Sequence, residues 1–375
     1  MKIGLDIRTI NEPKSGVGYY VTNLIREFQS IDATNEYFMI SNNHSYESEF
    51  RSLGNFTNFK TWISNENHII GDLWESFYLP HLLSNKNVDV FHGPAFMIPL
   101  RSVGFRTVVT IHDVVAFTRT ETVPKKYALY MRILLNQVVR KVDKIIAPSI
   151  STKSDLIKYL NTPEEKIHVV YNAVSPQYSP APPGHDQEEI KRKFGIRNKY
   201  ILFAGNLEPR KNLTRLMEAF NMALPKLNEE YQLVICGKRG WLYQDILRTY
   251  EKFNLNNEII LTNYVTEQDL INLYQSADIF AFPTLYEGFG FPPLEAMGCG
   301  VPVITSNVSS LPEIVGDAAV LVNPLDTGEI SEAIVTMAHS EALREELKKK
   351  GLKRSALFSW KDTARKTLDI YDSVF

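Results

Sequence analysis

Cysteine is scarce in this sequence, and both long apolar runs and a surplus of one charge sign are missing. The two cysteines, Cys236 and Cys299, stand far apart in apolar surroundings, which argues against a disulfide framework or a metal cluster and fits a reducing cytoplasm. No stretch approaches the roughly 20 apolar residues that a membrane-spanning helix needs. The net charge of -2 provides no general attraction to nucleic acid.

The composition is that of a folded globular protein. Hydrophobic residues make up 44% and charged residues 22% of the chain. A length of 375 residues favours two domains. The first seven residues, Met-Lys-Ile-Gly-Leu-Asp-Ile, predict a strand rather than a signal peptide.

Short apolar runs alternate with amphipathic helical patterns along both halves of the chain. The predicted strands are 2–7, 36–41, 59–63, 88–92, 106–112, 144–148 and 168–171, then 200–205, 232–236, 258–261, 278–282, 301–305 and 319–323. A helix is predicted over 72–83 and another over 360–374. This alternation predicts an α/β protein with two doubly wound, Rossmann-like parallel sheets.

A proline-rich stretch separates the two halves. Residues 176–184 hold four prolines in nine residues, which excludes a helix or a central strand. The predicted organisation is a domain over 1–172, a linker over 173–190, a second domain over 191–357 and a terminal helix over 358–375.

Residues 283–302 carry the strongest functional pattern. Glu287-Gly-Phe-Gly-Phe is too rich in glycine for regular structure, and Pro292-Pro293 is suited to a first helical turn. Glu287 is then expected on a loop and Glu295 in the first turn of the helix. Free backbone N–H groups at such a helix start favour a phosphate. Each feature alone also has an ordinary explanation, since Glu295 would complement the helix dipole and Glu287 would be a solvated loop charge.

The combination resembles the Glu-x7-Glu signature of retaining glycosyltransferases that use nucleotide sugars. These enzymes form the large family 4 type, with the GT-B fold, which includes sucrose synthases and phosphatidylinositol mannosyltransferases. The resemblance implies that Glu287 holds hydroxyls of the donor sugar and that Glu295 holds the nucleotide ribose. It implies that backbone amides between them meet the sugar and the diphosphate, and that the donor-binding residues there are Gly288, Phe289, Gly290, Phe291 and Leu294. It also implies that the last helix crosses back to the first domain.

Two cations stand where a diphosphate is expected. Arg210-Lys211 follows the strand that ends at Gly205 and precedes an amphipathic helix. In isolation such a pair is more often surface charge, but it matches the basic pair with which the family stabilises the leaving nucleoside diphosphate. Many members carry an arginine soon after this glycine, and this sequence has Asn206 instead. The resemblance further implies that Tyr264 and Val265 pack on the base.

The first half offers candidates for the sugar and the acceptor. Ile-His-Asp at the end of strand 106–112 places His112 and Asp113 where open parallel sheets bind ligands. A histidine there is in general more often structural, but the family places a histidine that contacts the donor sugar at this point, with Asp113 on the acceptor side. Gly16 and Gly18, in the predicted loop between the first strand and the helix after it, would let backbone approach a phosphate or an acceptor sugar. Val21 stands where a dinucleotide fingerprint needs a third glycine, so NAD binding is rejected.

Residues 119–144 carry seven Lys and Arg against two acids, with an apolar stripe. The ordinary explanation is a core-facing helix with a solvated basic face. The alternative is peripheral contact with an anionic membrane, worth about 1 kcal/mol for each basic residue near the surface. The expected location is therefore the cytoplasm, with the inner face of the membrane left open.

The chemistry predicted from these residues needs neither a metal nor a cofactor. No two aspartates stand two apart, so the metal motif of the other large glycosyltransferase fold is missing. No cluster has metal-ligand spacing. The run from Gly205 to Asn212 is most similar to mannosyltransferases of bacterial surface polysaccharide assembly, lipopolysaccharide included.

GDP-mannose is therefore the expected donor, while UDP-hexoses, GDP-fucose and dTDP-rhamnose remain open. The expected acceptor is a glycan or a polyprenyl-linked saccharide. An epimerase or a phosphorylase on the same fold would be expected to lack this loop or to carry a pyridoxal-binding lysine. A non-catalytic binding protein would be expected to have lost His112, Lys211, Glu287 or Glu295, and all four are present.

Overall fold

The computed structural model of the protein describes residues 1–10, 15–42, 54–63, 68–101, 104–253, 255 and 257–375. The chain forms two compact units. Unit 1 comprises Met1–Val114, Leu129–Asn172 and Ser359–Phe375, and unit 2 comprises Val115–Ala128 and Ala173–Phe358.

Unit 1 is built on a seven-stranded parallel sheet. Its spatial order is β3-β2-β1-β4-β5-β6-β7. The strands are β1 (Lys2–Asp6), β2 (Glu36–Ser41), β3 (Phe56–Lys60), β4 (Val90–Gly93), β5 (Arg106–Thr110), β6 (Lys144–Ala147) and β7 (Ile167–Val169). The central strands are buried on both faces, as parallel sheets covered by helices require.

Unit 2 is built on a six-stranded parallel sheet. Its spatial order is β10-β9-β8-β11-β12-β13. The strands are β8 (Lys199–Ala204), β9 (Tyr231–Cys236), β10 (Ile259–Asn263), β11 (Ile279–Phe282), β12 (Val303–Ser306) and β13 (Ala319–Val322). The predicted α/β architecture of two parallel sheets is confirmed.

Helices connect the strands of both sheets. In chain order they are α1 (Gly16–Ile31), α2 (His68–Phe77), α3 (Leu79–Asn85), α4 (Val115–Thr118), α5 (Lys125–Lys141), α6 (Ile150–Leu160), α7 (Gln187–Phe194), α8 (Leu213–Ala223), α9 (Gln244–Phe253), α10 (Glu267–Ser276), α11 (Phe291–Gly298), α12 (Leu311–Val315), α13 (Thr327–His339), α14 (Glu341–Ser355) and α15 (Trp360–Val374). No helix among the residues described is long and apolar enough to cross a membrane.

Local signals explain where the helices begin. The Ser15 side chain accepts the N–H of Gly18 at the start of α1, and Thr266 accepts the N–H of Asp269 at the start of α10. The apolar face of α1 is buried: Val21, Leu24, Ile25 and Phe28.

Three elements differ from the expectation. The strand predicted over 59–63 is Phe56–Lys60, and the helix predicted over 72–83 is two helices, α2 and α3. Pro80 lies in the first turn of α3, where a residue without an N–H begins a helix more easily than it continues one. Helix α7 also occupies the end of the stretch predicted as linker, because Asp186 caps it and Gly195 ends it in a left-handed conformation.

The last helix packs in unit 1, as predicted. The Tyr371 hydroxyl lies 2.6 Å from Nδ1 of His92 on β4, and the Thr363 hydroxyl donates to the carbonyl of Tyr171 at 2.7 Å. The chain therefore returns to the first sheet after completing the second.

Candidate active site

The order of the second sheet defines where a ligand is expected. From β8 the chain proceeds outward to β9 and β10, then returns to β11 on the other side of β8. The carboxyl ends of β8 and β11 therefore form a topological switch point, the place where open parallel sheets bind ligands. The loop after β8 carries Arg210 and Lys211, and the loop after β11 carries Glu287.

A buried cluster of charges joins these two loops. Lys211 Nζ lies 2.7 Å from one carboxylate oxygen of Glu287, and a terminal nitrogen of Arg210 lies 3.0 Å from the other. Arg210 also pairs with Glu208 at 2.9 Å and donates to the carbonyl of Tyr286 at 2.8 Å. Two cations and two carboxylates balance each other, as buried charges require.

Glu287 is ionised within this cluster. Burial raises the pKa of its carboxyl group, but the charges of Arg210 and Lys211 outweigh burial and hold the pKa below its usual value. Lys211 also lies over the ring of Phe282, with its Nζ 4.9 Å from the centroid. The cationic groups are thus fixed in place before any ligand arrives.

Asn212 holds the basic pair in position, a role that was not predicted from the sequence. Its φ of +60° turns the chain into α8 in the left-handed region, which asparagine tolerates. Its side-chain amide donates to the carbonyls of Pro283 at 2.8 Å and Pro324 at 2.7 Å. One amide therefore joins three loops at the same edge of the sheet. An asparagine directly before a helix was the only signal for this role.

Two serines support the Glu287 loop from the other side, and they too were missed as site residues. The Glu287 N–H donates to Ser309 Oγ at 3.0 Å. The Ser310 hydroxyl donates to the carbonyls of Glu287 and Phe289, at 2.9 and 2.7 Å. Gly290 has a φ of +110°, and a Cβ there would lie 2.8 Å from the Leu311 side chain. Glycine is therefore required at this turn.

Helix α11 follows this loop, with Pro292 and Pro293 in its first turn as predicted. Glu295 is its fifth residue and lies in the second turn, so the expectation of a first-turn position is wrong. The helix begins at Phe291 rather than at the prolines, because Gly290 makes the turn that precedes it. Phe289, Leu294 and Glu295 are all buried.

Glu295 has an unusual proton affinity. Burial raises the pKa of its carboxyl group to about 7, while the hydrogen bond from Tyr274 and the charge of Lys211 act in the opposite direction and Glu267 adds to the rise. The Tyr274 hydroxyl donates to it at 3.0 Å. At neutral pH this carboxyl group therefore lies close to its titration point.

We expect this raised pKa to appear in the pH dependence of stability. Between about pH 4.5 and 7 the folded protein holds a proton on Glu295 that the unfolded chain has lost, so the free energy of unfolding falls as pH rises through that window. Glu295→Gln imitates the protonated carboxyl and should lack this fall, which amounts to roughly 3 kcal/mol. Urea unfolding of both proteins at pH 5, 6, 7 and 8 measures the difference. Parallel curves would contradict a raised pKa.

The remaining predicted donor residues of unit 2 lie at its strand ends without entering the charge cluster. Asn206 is exposed after β8, and Tyr264, 55% exposed, follows β10 together with half-buried Val265. The loop after β9 fixes the Asn206 segment, since the Leu207 N–H donates to the Lys238 carbonyl at 2.9 Å.

The candidates of unit 1 surround the carboxyl end of β5. His112 Nε2 donates to the Pro94 carbonyl at 2.8 Å, and the ring of Tyr20 packs edge-on at 4.9 Å. Burial lowers the pKa of His112 to about 4, so the imidazole is neutral at pH 7. Asp113 follows it and is half-buried.

Gly16 and Gly18 lie in the first turn of α1 rather than in a loop before it. A Cβ on Gly18 would lie 3.1 Å from the Thr9 carbonyl, whereas no atom of the described residues lies within 4 Å of a Cβ placed on Gly16. Gly18 is therefore needed for close packing in this turn.

Comparison with known proteins assigns the chain to a family. Residues 14–178 match the family model "Glycosyltransferase Family 4", and residues 186–354 match "Glycosyl transferases group 1". The O-antigen chain mannosyltransferase B of Escherichia coli is 31% identical over 99% of this chain and 99% of its own. The chain belongs to glycosyltransferase family 4. The predicted resemblance is confirmed.

Other relatives and solved structures agree with the family 4 assignment. The serotype-specific mannosyltransferase WbdA of Escherichia coli is 33% identical over 74% of this chain and 35% of its own length. Sucrose-phosphate synthase from Thermosynechococcus elongatus superposes with a TM-score of 0.80 at 17% identity, covering 100% and 99% of the two chains. The Anabaena protein HepE, in complex with UDP and glucose, gives 0.77 at 16% identity with full coverage of both chains. These structures establish the GT-B fold of the glycosyltransferase.

No group of His, Cys, Asp and Glu side chains among the described residues is arranged to hold a metal ion. The cationic side chains at the switch point are those of Arg210 and Lys211.

Proposed function

We propose that this glycosyltransferase moves mannose from GDP-mannose, with retention of configuration, to a glycan or lipid-linked saccharide during assembly of a bacterial surface polysaccharide. The observation that carries the transferase chemistry is the buried cluster of Lys211, Arg210 and Glu287 at the switch point of the second sheet. The choice of mannose is supported by the relatives, which are named an O-antigen chain mannosyltransferase and a serotype-specific mannosyltransferase.

In this proposal each side of the cluster has one task. Lys211 and Arg210 neutralise the charge that develops on the leaving diphosphate, as positioned cations do most effectively in a buried site. Glu287, ionised between them, accepts hydrogen bonds from hydroxyls of the donor sugar. Backbone N–H groups from Gly288 to Phe291 meet the sugar and the diphosphate.

Glu295 and Tyr274 form the proposed ribose contact. The Glu295 carboxyl group has a pKa raised to about 7. When this group is ionised, it accepts a hydrogen bond from a ribose hydroxyl. The Tyr274 hydroxyl, which donates to the Glu295 carboxyl group at 3.0 Å, keeps that carboxyl group in its orientation. Tyr264, exposed after β10, supplies a ring for the base.

The transfer itself needs no protein base in this proposal. The bond between the anomeric carbon and the diphosphate oxygen breaks, the acceptor hydroxyl attacks from the same face, and its proton passes to the leaving phosphate oxygen. Neutral His112 serves as a hydrogen-bonding group for the sugar, because its low pKa excludes the imidazolium form at pH 7.

A panel of donors tests both the sugar and the metal requirement. We expect release of nucleoside diphosphate from GDP-mannose in the presence of acceptor and excess EDTA, with smaller rates from UDP-glucose, GDP-fucose and dTDP-rhamnose. Activity that vanished with EDTA and returned with magnesium or manganese would contradict the role given to Lys211 and Arg210. A preference for another donor would correct the sugar and leave the transferase chemistry standing.

We also propose that α5 brings the enzyme to an anionic membrane surface in the cytoplasm. Leu129 and Ile133 are 62% and 53% exposed on this helix. The basic residues of its exposed surface are Lys125, Lys126, Arg132, Arg140 and Lys141. Apolar side chains flanked by cations form the pattern of an interfacial helix.

Vesicle binding tests this membrane contact. We expect the protein to sediment with phosphatidylglycerol vesicles at low salt and to dissociate as salt rises, because charges are screened beyond about 8 Å at physiological ionic strength. Leu129→Ser combined with Ile133→Ser should weaken binding about 10-fold or more, from the lost apolar burial. If parent and variant bound equally, or if the parent did not bind, α5 would be a solvated basic helix without a membrane contact.

A further inference from the structure

A buried arginine fixes helix α2 to the first sheet. Arg8 lies two residues after Asp6, the last residue of β1, and is 1% exposed. Its guanidinium donates to both oxygens of Asp6, at 2.9 and 2.6 Å, and pairs with Glu75 of α2. The C-terminal half of α2 is thereby held at the carboxyl end of β1, the edge at which open sheets bind ligands.

Two exposed aromatic rings, Phe77 and Tyr78, follow this anchor at the end of α2. The Arg8 guanidinium lies 4.7 Å over the ring of Trp74, and Trp74 stacks with Tyr78 at 5.8 Å. The Arg101 guanidinium lies 5.2 Å over the ring of Phe77. Phe77 and Tyr78 are 54% and 52% exposed, although rings of this size are usually covered. We call Phe77 and Tyr78 the aromatic platform.

A second observation points to a polar ligand beside the platform. The Nη1 group of Arg8 is buried and has no hydrogen-bond partner within the described part of the chain. A buried donor without an acceptor is costly, and a hydroxyl that reaches it removes the cost. The same guanidinium lies over Trp74, and Trp74 stacks with Tyr78. The unsatisfied donor is therefore connected to the aromatic platform through the Trp74 ring.

These features together fit a sugar ring. A pyranose offers an apolar C–H face, which stacks on aromatic rings, and an edge of hydroxyls, which bind guanidinium groups. A lipid tail would offer nothing to Arg8 or Arg101. The position at the carboxyl end of β1 is where a ligand of unit 1 is expected.

We propose that Phe77 and Tyr78 form an acceptor subsite that stacks on one sugar ring of the acceptor glycan, with Trp74 and Arg8 as positioning residues. This proposal rests on the transferase function proposed above, because it concerns the saccharide that receives the transferred sugar. It places the recognition of the acceptor on a platform in unit 1 that is separate from the donor residues of unit 2.

The test uses Phe77→Ala, Tyr78→Ala and the double variant in the full-length enzyme. Tyr159→Ala is the matched control, since Tyr159 is also a partly exposed ring of unit 1 with a cation, Lys158, over it at 4.9 Å. Water-soluble manno-oligosaccharides of one to four residues serve as acceptors, and their binding is also followed directly by saturation-transfer NMR.

We expect KM for the longer oligosaccharides to rise about 3- to 10-fold for each single variant and further for the double variant, the effect of one lost stacking contact. KM for the donor and the slow hydrolysis of the donor by water should stay unchanged, and Tyr159→Ala should behave as the parent. Unchanged acceptor KM and unchanged NMR binding would overturn the subsite.

Two other outcomes would reassign the platform. Loss of vesicle binding with an unaltered acceptor KM would make it a membrane contact, and a changed oligomeric state would make it an interface between copies of the chain. Failure of the proposed function is distinguishable, because the parent would then neither hydrolyse nor transfer any donor. The NMR measurement would still decide whether the platform binds a saccharide.

Discussion

Lys211→Met is expected to lower kcat/KM for the sugar nucleotide by about 100- to 1000-fold, the usual loss for one positioned group that stabilises charge in the transition state. Methionine is unbranched and one atom shorter than lysine, so it fills most of the same space while it removes the ammonium group that lies over Phe282. Glu287 keeps Arg210 as a partner, so the variant should fold. Steady-state kinetics with a fixed acceptor measure the loss.

Lys199→Met is the matched control for this variant. Lys199 lies at the amino end of β8, the strand whose carboxyl end precedes Lys211, and it pairs with Glu229 at the surface. Its removal should leave kcat/KM within about twofold, since surface ion pairs contribute little. Similar losses for both variants would mean that charge at position 211 supports the fold rather than the leaving diphosphate.

Glu287→Gln is expected to lower turnover by about 100-fold while the affinity for the nucleoside diphosphate changes little. An amide cannot accept the sugar hydroxyls as strongly as a carboxylate, and it no longer balances Lys211 and Arg210. In the proposed complex the diphosphate contacts the two cations, and Glu208 and the Tyr286 carbonyl still hold Arg210 in the variant. Turnover and calorimetric titration with the nucleotide separate the two effects.

Glu346→Gln serves as the control for the glutamate substitution. Glu346 is exposed on α14 and pairs with Lys350 at 2.9 Å, so it undergoes the same chemical change at the surface and outside the charge cluster. Turnover equal to that of the parent in both variants would remove Glu287 from the site. Weaker nucleotide binding without a change in turnover would assign it to the diphosphate instead of the sugar.

The fold was predictable because its signals are local. Buried parallel strands appear as short apolar runs, and cap residues such as Ser15 and Thr266 mark helix starts. The prediction of one helix over 72–83 is wrong because the apolar periodicity continues across Pro80. Pro80 lies in the first turn of a new helix, and packing rather than the local pattern determines where that helix begins. The strand predicted over 59–63 was displaced because the register of an edge strand is set by its neighbour β2.

The candidate site was only partly predictable. Motifs in the sequence predicted three of the site residues, Glu287, Arg210 and Lys211. The ion pairs among them depend on the order of the strands in the sheet, which a single sequence does not reveal. Asn212 and Ser310 were missed, because their hydrogen bonds to carbonyls of other loops arise only after folding. The platform of Phe77 and Tyr78 was missed for the same reason, since the residues around an aromatic ring in the sequence do not show whether the folded protein leaves it exposed.

The configuration of the bond formed from GDP-mannose tests the central claim most directly. The mannose of this donor is α-linked to the diphosphate, so retention predicts an α-mannoside. NMR of the purified product, made with a manno-oligosaccharide acceptor in excess EDTA, shows the anomeric configuration of the new residue. An α-linked mannose would agree with transfer at the cluster of Lys211, Arg210 and Glu287. A β-linked mannose, or no product from GDP-mannose while another sugar nucleotide is consumed, would contradict it.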